Sequence, residues 1–413
     1  MKKQNIYIIG GGAAGLVAAL SAASGAVEAG GSVTVLEKTD RPGRKLAITG
    51  KGRCNITTGH DIETAIAEFG PNGRFLRSAF SRFFRDELLE LLESLGIPVV
   101  KERGERYFPL SGRAGDVVDA LIKRLGESGV EIVTNCRVKK IKVEDGKVSG
   151  VTTTKGDFSA RKVILATGGA SYPATGSTGD GYKIAAALGH TIIKPLPALV
   201  PIELEGDVHT ALDGLSLKNV RLTLLIGNEV LGEEFGDALF TPFGITGPAA
   251  LSLGKQVAMN AGDKLILTIN FKPALTAEQV DRRLTREFEA NIRKSLKNIL
   301  PNLLPKRAAE VFVKISEIPG DKKGGQITKS ERERLAGLLT GLRFGVKGAR
   351  PISEAIVTAG GVDLAEVNPR TMESKIVKGL YICGEVLDLD AGTGGFNLQS
   401  AFSTGFVAGG SAV

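Results

Sequence analysis

Ile6-Tyr7-Ile8-Ile9-Gly10-Gly11-Gly12-Ala13-Ala14-Gly15 begins as an apolar strand and runs directly into a glycine turn. A small-residue apolar stretch follows, then a second apolar run, Val33-Thr34-Val35-Leu36, with Glu37 immediately behind it. Strand, tight turn, helix, strand and acid, in that order, are the parts of a dinucleotide-binding βαβ unit. Glu37 follows Gly15 by 22 positions, near the roughly 20 that such a unit takes. Gly10 permits the turn, Gly12 lets the backbone approach a pyrophosphate at the helix N-terminus, and Gly15 lets helix and strand pack closely. Glu37 is placed to accept hydrogen bonds from a ribose hydroxyl. Residues 24–31 read as a slightly extended loop between the helix and the second strand.

Two plainer readings compete. Met1-Lys2-Lys3 followed by an uncharged stretch to Val27 has the outline of a secretory signal peptide. Three consecutive glycines would break its apolar helix, and cleavage near Ala26 would discard the strand and turn that make sense of Glu37. A transmembrane helix fits less well, because so much Gly, Ala and Ser is only weakly apolar.

A chain of 413 residues exceeds the size at which one core usually suffices, so two or three domains are expected. Hydrophobic residues at 42% and charged residues at 24% are ordinary for a globular protein and give no sign of a membrane protein or a disordered one. Cys54, Cys136 and Cys383 are widely spaced and odd in number, which suits neither a disulfide framework nor a zinc site and points to a reducing, cytoplasmic setting. His60, His190 and His209 lie far apart in sequence, so a histidine metal centre or a Ser-His-Asp triad has little material. No metal is expected. The net charge of +8 is concentrated: residues 272–334 carry 15 Lys or Arg against 9 Asp or Glu, and Arg41, Arg44, Lys45, Lys51 and Arg53 have no acid among residues 41–53. The first cluster reads as a solvated helical face. The second adjoins the expected phosphate site and suits an anionic cofactor or substrate.

Residues 74–95 repeat Phe and Leu at three and four and read as one helix, residues 109–126 as another. Short strands over 138–143, 147–153 and 163–166, joined by Glu144-Asp145-Gly146 and Lys155-Gly156-Asp157, read as a meander entering the sheet. Residues 195–271, with strand-like runs at 220–226 and 264–269, read as an inserted β domain. Capping boxes at Thr276-x-x-Gln279 and Ser330-x-x-Glu333 then announce helices. The sheet resumes with Leu380-Tyr381-Ile382-Cys383, and a helix starts behind Gly394-Gly395.

Four blocks of this chain resemble one family: residues 8–15, 41–55 (RPGRKLAITGKGRCN), 166–181 (ATGGASYPATGSTGDG) and 358–405. The family is that of the bacterial three-domain FAD-dependent oxidoreductases, often labelled NAD(P)/FAD-dependent. The likeness spans essentially the whole chain. It implies an α/β fold: a glutathione-reductase-type Rossmann FAD-binding domain with an inserted β-rich domain and a small helical subdomain. The corresponding division is 1–194 with 346–413 for the cofactor, 195–272 with 336–345 for the β domain, and 273–335 for the helices. Carried over residue by residue, Gly10, Gly12, Ala13, Ala14 and Gly15 would carry the phosphates and Glu37 and Lys38 the ribose. Arg44 and Lys45 would face FAD phosphate or the flavin edge, the Val138 backbone the adenine, and Ala166-Thr167-Gly168 a second turn past the cofactor. Gly384-Glu385 stands where Gly-Asp is commoner and would reach the ribityl chain. Gly395-Phe396-Asn397-Leu398 opens a helix whose N–H groups would face the electron-rich edge of the flavin.

For the chemistry, Asp388, Asp390 and Tyr172 are candidate proton-handling groups, each with a structural hydrogen bond as its plainer role. Basic neighbours argue for a reactive Cys54, yet no second cysteine is near in sequence, so it reads as a packing thiol. The leading expectation is an FAD-dependent oxidoreductase acting on a small organic substrate by hydride transfer. With one dinucleotide fingerprint, NAD(P)H would visit only as a transient co-substrate, and oxygen is an alternative acceptor. The runner-up is an RNA-associated flavoprotein of tRNA-modification type. Against a nucleic-acid partner, the basic segment lacks interleaved aromatics. A third reading is a flavin-holding protein without turnover. No membrane association is expected, and oligomeric state is not legible.

Overall fold

The computed structural model describes residues 5–28 and 30–413. Met1-Lys2-Lys3, on which the signal-peptide reading leans, lies outside the described residues. No helix among the described residues is long and apolar enough to cross a membrane. The chain forms two compact units, one running to Leu196 and resuming at Ile356, the other comprising Pro197–Ala355.

The first unit is built on a five-stranded parallel sheet. Its order is Leu380–Ile382, Lys162–Leu165, Asn5–Ile9, Ser32–Leu36, Glu131–Val133. Ile8 pairs in register with Ile164 on one side and Val35 on the other, and all three are fully buried. Burial on both faces explains why these strands read as unbroken apolar runs. The helix Ala13–Glu28 crosses between the first two of them in sequence. It overruns the expectation of a loop from residue 24, because Gly25 and Ala26 are still helical and the chain then turns quickly into Ser32. Gly25 is fixed by packing, since a Cβ there would lie 2.6 Å from Val413 Cγ1.

The last helix, Phe396–Ser411, lies along that first helix. A Cβ on Gly405 would sit 2.3 Å from the Ala14 carbonyl oxygen, and one on Gly409 2.2 Å from that of Ala18. Small residues four apart on both partners therefore let two backbones touch. Ser21 Oγ fastens the pair by donating to Phe406 O at 2.7 Å.

Strands Val138–Glu144, Lys147–Thr153 and Gly156–Ser159 form the antiparallel meander. The expected helix over 74–95 is broken: a 3-10 stretch, Gly70–Leu76, passes into Arg77–Phe80, and a separate helix, Arg85–Ser94, follows. The backbone at Phe84 leaves the helical region (φ −121°, ψ −148°), with its N–H held by Glu87 Oε2 at 2.8 Å, so a new helix cap interrupts the periodic pattern. Residues 109–113 are likewise not helical; Pro109 ends a strand and the helix is Ala114–Glu127.

In the second unit a closed six-stranded antiparallel barrel runs in the order Ile202–Leu204, Gly244–Thr246, Glu229–Thr241, Ser216–Ile226, Leu265–Asn270, Leu342–Ala349. Alternate residues such as Leu222, Leu224, Leu267 and Ile269 fill its interior. The strand Leu342–Ala349 closes it, and so runs across the 345/346 boundary drawn from sequence. Between the last two strands in sequence come the helices Ala277–Ala290, Leu296–Ile299, Lys306–Ile315 and Lys329–Gly341. The box at Thr276 and Gln279 forms as read. The second start lies two residues earlier than Ser330: Thr328 and Glu331 make the reciprocal bonds, because Lys329 and Ser330 are already inside the helix.

Candidate cofactor site

Glycine geometry builds the first half of the site. Gly10 adopts φ +104°, and a Cβ there would lie 2.6 Å from Ala166 O. A Cβ on Gly15 would lie 1.9 Å from Gly10 O, and one on Gly11 2.7 Å from Pro42 Cβ. These three glycines are closed off by the protein itself. At Gly12 nothing lies within 4 Å of where a Cβ would be. The turn is thus sealed on its strand side and open above the first turn of a 16-residue helix, where unpaired backbone N–H groups and the positive dipole end gather.

Glu37 is 8% exposed and already occupied by the chain. One carboxylate oxygen accepts the Gly11 N–H at 2.8 Å; the other accepts the N–H and hydroxyl of Thr39, each at 2.8 Å. It braces the glycine turn against the end of the second strand, and Oε2, which accepts one donor, keeps a further lone pair for a sugar hydroxyl. The segment leading to Val138 is drawn alongside, with Asn135 N on Thr39 O at 2.8 Å and Cys136 N on Glu37 O at 2.9 Å. Lys38 is directed elsewhere. Its ammonium bonds Thr178 Oγ1 and pairs with Asp180 at 3.0 Å, and Asp180 also takes Arg137 at 2.8 Å. Burial alone would raise the Asp180 pKa, but the hydrogen bonds and charges of Arg137 and Lys38 hold it below the ordinary value.

The basic run at 41–53 is less bare in space than in sequence. Arg41 pairs with Asp119, Arg44 with Asp40, and Arg53 with Glu102. Arg53 also lies over the Phe108 ring, 4.3 Å from its centroid. Lys45 reaches the deepest partner: its ammonium contacts Ser171 Oγ at 2.6 Å and Glu385 Oε2 at 2.7 Å. Glu385 Oε1 accepts the Thr358 N–H at 2.9 Å and lies 3.3 Å from Ser171 Oγ. Thr358 Oγ1 in turn accepts the amides of Ala170 and Ser171. This network ties three blocks of the sequence together. Burial pushes the Glu385 carboxyl up, and Lys45 with the backbone donors more than reverses it, leaving a depressed pKa. Gly169 sits hard against the same cluster, since a Cβ there would meet Thr358 Oγ1 at 2.4 Å.

The C-terminal block joins the first helix at Gly384, where φ is +77° and a Cβ would lie 2.7 Å from Ala14 Cβ. Ala166 continues the strand Lys162–Leu165 through its N–H on Ile9 O at 2.9 Å, and Gly168 turns at φ +70°. The Thr167 hydroxyl is buried without a hydrogen-bond partner, against Gly181. Gly395, at φ +96°, caps the last helix, and a Cβ there would meet Thr57 O at 2.4 Å. Asn397 does not offer its side chain outward: it receives the Ala391 N–H at 2.9 Å and donates to Ala391 O at 2.8 Å, stapling the preceding loop. Phe396 is buried and stacks on His60, ring centroids 5.9 Å apart. Leu398 is half-buried. Beneath them a buried chain of bonds runs from Thr57 Oγ1 through Gln399 and Ser403 to Phe83 O.

Among the candidate proton-handling groups, Asp388 accepts Asn72 Nδ2 on both its side chain (2.9 Å) and its carbonyl (2.8 Å), and its N–H reaches Val362 O. Asp390 is half-buried on the same loop. Tyr172 is half-buried and holds a left-handed backbone, φ +50°, before Pro173, a conformation costly for a bulky residue. Cys54 is fully buried, and burial pushes its thiol up to about 12, outweighing a hydrogen bond with Thr49.

Sequence reasoning did not single out Thr358, Ser171, Gln399 or Thr57. Ser171 and Thr358 do lie within the quoted blocks, but only folding shows that they share one carboxylate. Gln399 carried a weak signal, a polar residue on an otherwise apolar helix next to the glycine turn.

Comparison with known proteins agrees with this geometry. The family described as the HI0933-like protein Rossmann domain matches residues 4–411. A 3-dehydro-bile acid delta(4,6)-reductase of Clostridium scindens is 32% identical over 406 residues, covering 98% of each chain. A ribosomal RNA dihydrouridine synthase of Haemophilus influenzae is 32% identical over 405 residues, covering 97% of this chain and 96% of that one. Among solved structures, a 3-ketosteroid-delta4-(5alpha)-dehydrogenase of Rhodococcus jostii superposes with a TM-score of 0.54 at 17% identity, covering 99% and 97% of the two chains, and so shares the fold. With its glycine turn, its sheet closed from both ends of the sequence and a match along nearly its whole length, the chain belongs to the HI0933-like Rossmann-domain family.

Proposed function

We propose that the chain is an FAD-dependent oxidoreductase that saturates a carbon–carbon double bond conjugated to a carbonyl in a small organic substrate, with NAD(P)H as a transient donor. The single observation that carries the cofactor is the contrast at the turn: Gly10, Gly11 and Gly15 are filled by the protein, and Gly12 alone faces open space above helix N–H groups. A diphosphate is the group such a cradle suits. Two relatives support the reaction class. Delta(4,6)-reduction of a 3-dehydro acid and conversion of uridine to dihydrouridine both remove a double bond in conjugation with a carbonyl.

FAD, when bound, would supply the redox chemistry for hydride transfer to the electron-poor carbon. The chain does the rest. Gly12, Ala13 and Ala14 would hold the diphosphate with backbone N–H groups, Glu37 the ribose through the free lone pair of Oε2, and the Val138 backbone the adenine. Ala166-Thr167-Gly168 and Gly384-Glu385 flank the cofactor's middle, with Lys45 keeping Glu385 ionised. The first-turn amides of Gly395-Phe396-Asn397-Leu398 would stabilise negative charge on the flavin's electron-rich edge. Tyr172 is the first candidate to deliver the proton that complements the hydride. Asp388, tied to Asn72, holds the loop, and Asp390 shares it.

A purified-protein absorbance spectrum with mass analysis of the released ligand tests the cofactor, and colourless protein that takes up no added FAD would refute it. Anaerobic mixing with NADH and NADPH tests the donor. Gly12→Ala is expected to fold with unchanged stability, because its Cβ meets nothing, while FAD affinity falls at least tenfold, about 1.4 kcal/mol. Unchanged affinity would remove the cradle.

A second reading, reduction of a base within RNA, is favoured by one observation: the positive charge of residues 272–334, set beside the RNA-acting relative. Salt-sensitive gel shifts with ribosomal and transfer RNA would support it. No binding at low salt would dismiss it.

A further inference from the structure

We propose that the helical part of the second unit contains a separate binding site, for a small carboxylate carrying a short aliphatic tail. A cavity of about 70 Å³ opens there, several times the roughly 10–15 Å³ that one water needs. Its apolar side includes Leu284, Leu303 and Leu339, and its polar side is Lys272, Arg283 and Asn302. The helix Ala277–Ala290 brings Val280, Arg283 and Leu284 to one face, as spacings of three and four require.

Lys272 is the anomaly. Its backbone is fixed on both sides, N–H on Asn270 Oδ1 at 2.8 Å and carbonyl receiving Leu275 N at 2.9 Å. Its ammonium is half-buried and has no acidic partner among the described residues. Burial first, and the neighbouring Arg283 second, push its pKa below the ordinary lysine value. Arg283 has Glu287 beside it at 3.8 Å, whereas Lys272 has no acid to offset its charge, an arrangement unfavourable unless something anionic joins it.

The same segment does not lack acids. Arg332 pairs with Asp281 at 2.7 Å and Lys322 with Glu331 at 2.6 Å. Glu287 is engaged by Arg283 at 3.8 Å and by Asn302 Nδ2 at 3.2 Å. Other cations of the segment without an acid beside them, Lys294 and Lys297 among them, are exposed; Lys272 is half-buried, and it stands at a cavity. A carboxylate matches an ammonium that has no acid of its own, and a hydrocarbon tail matches the leucines.

The site is independent of the flavin reading, and so is its test. Calorimetric titration of the full-length protein with hexanoate, acetate and hexyltrimethylammonium separates charge from tail. Hexanoate is expected to bind at least tenfold more tightly than acetate, and the ammonium not at all. Lys272→Gln should weaken hexanoate at least tenfold, whereas Lys272→Arg, which keeps the charge, should hold it to within about threefold. Thermal unfolding of both variants confirms that they fold. Absence of hexanoate binding at tens of millimolar, or equal binding by Lys272→Gln, would overturn the proposal.

Discussion

Glu385 shows what a single residue contributes beyond its place in a motif. Its carboxylate and the Lys45 ammonium are each about four-fifths buried, with side chains 19% and 22% exposed. Removing one partner strands the other. Glu385→Gln is expected to destabilise the protein by about 3 kcal/mol at pH 7, read from urea unfolding midpoints. A carboxyl depressed on folding stabilises at neutral pH, and loses that contribution as pH falls from its unfolded value, about 4.3, through the folded one. The gap between wild type and variant should therefore narrow toward pH 3. The cysteines give the opposite lesson. The basic neighbours of Cys54 suggested reactivity, but Cys54, Cys136 and Cys383 are all buried. A disulfide-exchange reagent at pH 8 should find no rapidly reacting thiol in folded protein and three after denaturation. Sequence displays neighbours along the chain, and burial is decided by neighbours in space.

At the scale of elements, legibility followed the strength of the local rule. The glycine turn, the apolar strands of the parallel sheet and the Thr276 box were readable because each rests on chemistry within a few residues. The interrupted helix at 74–95 was not, since its Phe and Leu spacing stays periodic while Phe84 leaves helical geometry. The pairing of first and last helices was also invisible. Gly405 and Gly409 look like poor helix formers, and only the approach of Ala14 and Ala18 explains them. Gly405→Val should destabilise by at least about 2 kcal/mol, by forcing the two helices apart. Thr328→Ala, which removes a true cap, should cost about 1 kcal/mol, and Ser330→Ala nearly nothing. Chemical denaturation of the three variants together ranks a contact between helices against a cap.

For the whole molecule, the sequence announced a Rossmann sheet and an inserted β-rich portion, and folding supplied what assembles the cofactor geometry within the first unit. The Lys45–Ser171–Glu385–Thr358 cluster draws on positions up to 340 residues apart, a separation no local pattern encodes. The parallel sheet has the same character: its central strand, Asn5–Ile9, is flanked by Lys162–Leu165, which is in turn flanked by Leu380–Ile382. Synthesis meets these strands in an order unlike their order in space. Once residues up to 355 have emerged from the ribosome the barrel can close, but the strand Lys162–Leu165 still waits for Leu380–Ile382 and the opening helix for its companion. Arrested nascent chains should accordingly begin to take up FAD only once residues up to about 411 have cleared the exit tunnel, as fluorescence of the captured flavin would reveal. Until then the cell holds an exposed apolar sheet through most of translation, a reason for such a chain to engage chaperones early.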